Sequence, residues 1–169
     1  MNNIHGPTEL LKEEHQAVLK KLDALQEIVN HLDQKEANKA RFEELMSFFQ
    51  TDFWVHFDKE EKALFTEFDN FMPRGSGPIA VMIDEHEVLR NTNEAMQQDV
   101  AKYLNHSDNA ETRQAIVDNG THFIEFLRNH IFKEDNILFS MADMHFDRGQ
   151  NEKVVKLFEQ IEKSERKGG

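Results

Sequence analysis

Apolar residues recur along this chain at alternating spacings of three and four, in four long runs separated by polar or proline- and glycine-bearing segments. That spacing puts them on one face of an α-helix, and nowhere does the chain show the strict alternation of a strand. The first run predicts a helix over 8–32, with Leu11, His15, Val18, Leu22, Leu25, Val29 and Leu32 on one stripe. The second predicts a helix over 36–67, with Phe42, Met46, Phe49, Phe53, His56, Glu60 and Leu64 aligned. Glu67 to Pro78, EFDNFMPRGSGP, then gathers two prolines and two glycines, which end one helix and allow a reversal. A third helix is expected over 78–104, presenting Ile79, Met82, His86, Leu89, Asn93, Met96 and Val100. A fourth, over 110–141, presents Ile116, Gly120, Phe123, Leu127, His130, Glu134 and Ile137.

The connections are short and polar. In NHSDNAE, Asn105 to Glu111, Ser107 and Asp108 are able to cap the fourth helix. Gly120 costs a helix interior about 1 kcal/mol relative to alanine, so either a neighbouring helix comes close there or the helix starts anew at Thr121. Past Met141, DMHFDRGQ reads as a bend. NEKVVKLFEQIEK follows as a shorter fifth helix over about 150–163, carrying Val154, Val155, Leu157, Phe158 and Ile161, and the tail SERKGG is expected to fray. The fold class is all-α: an up-down antiparallel four-helix bundle, about 8–141, with an additional short C-terminal helix, in a single domain over 1–169.

Polar letters interrupt the stripes in a repeated order. HFDKEEKALF, from His56 to Phe65, returns 74 positions later as HIFKEDNILF, from His130 to Phe139. KEEHQAVL around His15 returns 71 positions later as IDEHEVLR around His86. Each half is thus one histidine followed by a His-x-x-x-Glu, and two helical hairpins related by an approximate twofold bring four histidines and two glutamates together. Four steps along a helix return both side chains to one face, so each His-x-x-x-Glu pair reaches a common centre.

Composition narrows the chemistry that such a centre supports. There is no cysteine, which excludes disulfides, thiolate metal sites and thiol catalysis, so any metal takes nitrogen and oxygen ligands. With 32 acids against 20 Lys plus Arg and a net charge of −12, the chain repels a phosphate backbone, and nucleic acid is not an expected partner. The N-terminus MNNIHGPTELL lacks the features of a signal peptide and no apolar run is long enough for a membrane span, which leads to the expectation of a soluble, cytoplasmic protein. A lone histidine in an apolar stripe is usually a hydrogen-bonded core residue. Four on separate helices, beside two stripe glutamates with no Lys or Arg on the same stripes, are better satisfied by divalent cations.

These residues resemble the hemerythrin-like (HHE cation-binding) domain family over about Thr8 to Met141. The resemblance implies two non-haem iron ions, oxo- or hydroxo-bridged, with manganese or zinc as substitutes. It implies His15, His56, His86 and His130 as terminal metal ligands and Glu60 and Glu134 as bridges. It further implies that dioxygen, nitric oxide or peroxide is the small ligand; a protein partner is left open. Imidazole and carboxylate without thiolate suit iron or manganese independently of the resemblance, and zinc is permitted. Phe49, Phe53, Phe57, Phe123 and Phe126 supply either a dry pocket for the centre or simply core.

Two departures from the oxygen-carrying hemerythrins matter. Those proteins have His-x-x-x-His on the third helix, whereas Arg90 stands four after His86 here. They have His-x-x-x-x-Asp on the fourth, and here Glu134 at four and Asp135 at five both follow His130. Four steps fall within about 40° of His130 and five overshoot to about 140°, so Glu134 is the expected bridge. His122, about 12 Å along the axis and some 80° around from His130, is placed outside direct binding, with a pocket-lining role left open. His5, His31, His106 and His145 are expected in solvent. Glu14 and Glu85 face solvent or a neighbouring helix, and Asp52 is either a partner for His56 or a solvated acid. A binding or sensing module is the preferred reading. A di-iron enzyme, decomposing peroxide or repairing iron–sulfur centres, and an iron store or structural module are the alternatives.

Overall fold

A computed structural model describes residues 5–106 and 108–167, so the expected Ser107 cap and the expected fraying at Gly168 and Gly169 lie outside the described residues. Among those described, all regular structure is helical. Helix α1 is Pro7–Val29, α2 covers 35–68, α3 is Gly77–Asn105, α4 covers 110–145, and α5 is Arg148–Lys167. Helix α1 packs on α2 and α4, and α3 packs on the same two, so the four long helices close a ring. The last helix lies against α1 and α2. It is longer than the sequence predicted, and Ser164–Arg166 continue it rather than fray.

The stripes read from the sequence are the core, apart from one position. Every stripe residue of α1, α2 and α3 is buried. They form two apolar layers. One runs from Val18 and Leu22 through Phe49, Phe53 and Met96 to Phe123 and Leu127. The other joins Leu11, Leu64, Phe65, Ile79 and Phe139 to Val154 and Phe158 of α5. The polar stripe residues lie between them, which is where an amphipathic pattern with a polar interruption has to put them.

Ile137 is the exception, at 54% exposed, while Leu138 is buried in its stead. The cause is a change of helical period. Glu134–Leu138 is a π-helical turn, as is Glu60–Leu64 at the equivalent place in α2. Each closes on the glutamate itself, whose carbonyl accepts from the N–H of Phe139 or Phe65 five residues on. The widened turn delays the inward position by one residue, so a 3.6-residue count overshoots to Ile137. Single π turns of this kind concentrate at functional sites.

Helix α2 is also not the continuous helix expected over 36–67. It breaks at Thr51, with φ −124° and ψ −83°. Side chains take up the freed carbonyls: Phe49 O accepts from Trp54 Nε1 at 2.9 Å and from Asn93 Nδ2 of α3 at 3.0 Å, and Met46 O accepts from Gln97 Nε2 at 3.0 Å. Asn93 therefore belongs to its buried stripe as a donor that props the kink. Helix α4 runs unbroken through Gly120, whose absent Cβ would sit 3.4 Å from Val29 Cγ2 of α1. Close approach, not a new start at Thr121, explains that glycine. The cap of α4 is Asn109, which accepts from Thr112 N at 2.8 Å, while Asp108 pairs with Arg113. Gly77, at φ +76°, makes the left-handed entry into α3 that glycine adopts without strain. The helix of α4 persists to His145, past the bend expected after Met141.

Candidate metal centre

His15 and His56 come from α1 and α2, and their Nε2 atoms lie 2.9 Å apart. His86 and His130 repeat the arrangement from α3 and α4, with Nε2 atoms 3.2 Å apart. Between the pairs stand Glu60 and Glu134, both fully buried. His130 Nε2 is 2.7 Å from Glu134 Oε1, and His56 Nε2 touches Glu60 Oε1. His15 Nε2 is 3.7 Å from Glu134 Oε1, and His86 Nε2 is 3.5 Å from Glu60 Oε2. Beyond these imidazoles, none of the four carboxylate oxygens has a hydrogen-bond partner. Two charged groups placed so deep without partners are costly unless a cation balances them.

The six side chains form two groups of four, each able to hold a metal ion: His15, His56, Glu60 and Glu134, and Glu60, His86, His130 and Glu134. Both groups share the glutamates. Donor atoms bound to one cation at about 2.1 Å stand roughly 3 Å apart when adjacent and about 4 Å apart when opposite. Most of the separations here lie near that range, with the two His-x-x-x-Glu contacts closer, so the donor set fits a metal.

Each histidine is aimed by a carboxylate behind it. His15 Nδ1 lies 2.7 Å from Asp135 Oδ1 of α4, and His86 Nδ1 2.9 Å from Glu61 Oε1 of α2. His56 Nδ1 is held at 3.0 Å by Glu14 of α1, and His130 Nδ1 at 3.2 Å by Glu85 of α3. An Nδ1–H donated to a carboxylate leaves the Nε2 lone pair facing inward, as ligation requires. The carboxylates are themselves tethered: Glu14 accepts from Lys59 at 2.6 Å, Glu85 from Lys133 at 2.8 Å, and Glu61 from Arg90 at 3.3 Å. Rings complete the support, with Phe57 stacked on His86 at 3.8 Å and Phe139 on His15 at 5.5 Å.

Electrostatics follow from burial and crowding. Burial, and then repulsion from Glu134, raise the Glu60 carboxyl well above its ordinary range. Burial acts on Glu134 as well, but the neighbouring His130 charge and the Glu60 proton outweigh it and hold Glu134 down. Crowding of the two carboxylates thus drives their affinities for a proton apart, Glu60 upward and Glu134 downward. Burial disfavours the His130 cation, but Glu134 and Glu85 overcome that and push it up to about 10. His86 is raised by Glu60 and Glu61 against its burial, whereas burial prevails at His15 and lowers it. Glu14, despite burial, is held at about 2 by His56 and Lys59.

The structure sorts the other candidates. His122 is exposed and edges onto Phe126, away from the cluster, and His5, His31, His106 and His145 are exposed too. Asp52 is exposed as well; Glu14 holds His56 instead. Of the acids behind the histidines, Glu14 and Glu85 take the neighbouring-helix alternative of the sequence reading, whereas the part played by Asp135 and Glu61 was not anticipated. A signal was present, because Glu14 and Glu85, Glu61 and Asp135, and Lys59 and Lys133 all recur in the two echoed motifs. Arg90 points out to Glu61 and Glu87 and lies over Trp54, so it does not enter the centre.

Helices throughout the described residues, with a buried cluster of histidines and glutamates between the central four, define a helical domain with a group of side chains able to hold a metal. The sequence pattern of the hemerythrin HHE cation-binding domain matches residues 6–142, and the chain belongs to that family. No curated protein and no solved structure matches it.

Proposed function

We propose that this chain is a non-haem di-iron hemerythrin-like protein, a single-domain up-down antiparallel four-helix bundle, that binds or senses dioxygen, nitric oxide or peroxide. The observation that carries this reading is the set of four unpartnered carboxylate oxygens of Glu60 and Glu134, placed between two histidine pairs. His15 and His56 would hold one iron, His86 and His130 the other, and Glu60 and Glu134 would bridge. Such a pair supplies reversible one-electron chemistry and coordination positions left open by the protein. Asp135, Glu14, Glu61 and Glu85 keep the four imidazoles in the ligating tautomer.

Binding is favoured over catalysis by what surrounds the centre. A narrow void beside His15, His56, His130 and Glu134 is otherwise lined by Val18, Phe53, Phe57, Leu127 and Ile131, and it is too small to admit a water molecule. Those walls offer no proton donor or acceptor to a bound ligand, and they exclude solvent from it. Leu127→Ala should widen this void. It is expected to cost about 2–5 kcal/mol of stability and to accelerate azide binding to the iron-loaded protein severalfold, measured by stopped-flow absorbance. An unchanged rate would route the ligand elsewhere.

The test of the reading is anaerobic loading with ferrous iron, metal analysis, and optical spectra before and after air. Two irons per chain and new near-ultraviolet charge-transfer absorption on exposure to air are expected. A firm value of one, unmoved by reconstitution, would sink the dinuclear centre, and catalytic turnover of added peroxide would replace binding with enzymatic activity.

A further inference from the structure

The internal twofold that relates the two histidine pairs is broken at the surface, and the break leaves one face uncovered. In the first half, α5 covers the α1–α2 side of the centre. Its Val154 and Phe158 are buried there beside Ala63, and its Glu162 reaches Lys59 Nζ at 2.5 Å. Lys59 is thereby buried, bridging Glu162 and the Glu14 that holds His56. In the second half the equivalents of Leu10, Ala63 and Lys59 are Val81, Ile137 and Lys133, by the same offsets of 71 and 74 that relate the histidines. Ala63 is fully buried and Leu10 partly so, but Val81 is 48% and Ile137 54% exposed. The Lys133 side chain is 45% exposed, with Glu85 as its single carboxylate partner among the described residues. Val88, one heptad beyond Val81 on α3, extends the apolar strip.

We infer that this α3–α4 face docks an amphipathic helix of a partner protein, of the same chemistry as α5. That helix carries apolar residues at the spacing of Val154 and Phe158 and a carboxylate one turn beyond, at the place of Glu162. The apolar residues cover Val81, Val88 and Ile137, and the carboxylate pairs with Lys133. Two observations specify the occupant. A cationic side chain set in an aliphatic strip complements an acid within an apolar helix face, and the first half shows that combination assembled on the same framework. A second copy of this chain is disfavoured, because two bodies of net charge −12 repel each other. The inference does not depend on which metal the centre holds.

The probe is a synthetic, fluorescently labelled peptide of residues 148–167, titrated into the protein of residues 1–169 and followed by anisotropy. Saturable binding of one peptide per chain, below roughly 1 mM, is expected, since a free helix of this length is marginal and its ordering weakens the affinity. Val81→Glu and Ile137→Glu, both at solvent-exposed positions, are each expected to weaken binding at least tenfold while circular dichroism and melting temperature stay unchanged. Ile137→Ser serves if the charged variant unfolds. A peptide carrying Phe158→Glu should not bind. Three results overturn the inference: no saturable binding, binding indifferent to the α3–α4 variants because the peptide exchanges with the resident α5, or a concentration-dependent dimer that Ile137→Glu dissociates.

Discussion

Glu134→Ala is expected to empty the centre, whereas Asp135→Ala next to it should only loosen it. Glu134 stands between both histidine pairs, 2.7 Å from His130 Nε2 and 3.7 Å from His15 Nε2. Removing it takes away a donor common to both groups of four and leaves Glu60 without its counterpart. Iron per chain should fall below one, with loss of the near-ultraviolet bands, and Glu60→Ala should behave alike by the internal twofold. Asp135 acts one atom further out, on His15 Nδ1. Its loss frees the ring to rotate and change tautomer, which typically lowers metal affinity by about 10–100-fold. Asp135→Ala should therefore load fully at high iron and lose metal to a chelator faster than the unaltered protein, as should Glu61→Ala, Glu14→Ala and Glu85→Ala. His122→Ala should match the unaltered protein in both respects. If Asp135→Ala abolished the bands while Glu134→Ala kept them, the bridge on α4 would be Asp135.

Removing the metal should lower the melting temperature, and by more at about pH 8 than near pH 6.5. An ion held at a concentration about a thousandfold above its dissociation constant stabilises the folded state by roughly 4 kcal/mol. For a chain of this size that corresponds to a shift of about 8–16 °C per ion. The pH dependence has two parts of the same sign. In the metal-free protein His130, at about 10, and His86 and Glu60, also raised, bind protons more tightly folded than unfolded. Their stabilisation is complete below the unfolded pKa and is lost as pH rises through the folded one, so the metal-free form weakens from pH 6.5 upward. The downward shifts of His15 and Glu134 act below that window. Metal binding needs the same groups deprotonated, so the holo form gains as the apo form loses. Scanning calorimetry of stripped and reloaded protein at both pH values tests this. Equal melting temperatures at pH 8 would mean that Glu60 and Glu134 are satisfied without a cation.

What the sequence determined by itself was whatever depends on residues near one another along a helix. Period fixes which face of α1, α2 and α3 is buried, and from Leu11 to Val100 those stripes are the core. The duplicated His and His-x-x-x-Glu motifs were enough to bring six named side chains to one level, because two similar hairpins packed face to face place equivalent residues at equivalent depths. The same arithmetic put His122 outside the cluster.

Tertiary structure decided what depends on a neighbouring helix. Glu14, Glu61, Glu85 and Asp135 lie off their own stripes, and only the position of the adjacent helix turns them onto an imidazole instead of into water. The π turns at Glu60 and Glu134 shift the register, so Ile137 comes to solvent and Leu138 to the core; a fixed period of 3.6 residues does not anticipate them. The kink at Thr51 is possible because Asn93 and Gln97 of α3 supply donors to carbonyls that α2 releases. Nor did the near-identity of the two halves reveal that α5 covers one and leaves the other open. Which of two equivalent faces a terminal helix occupies is settled by packing between segments far apart in the chain, such as Glu162 against Lys59, and no local pattern encodes it.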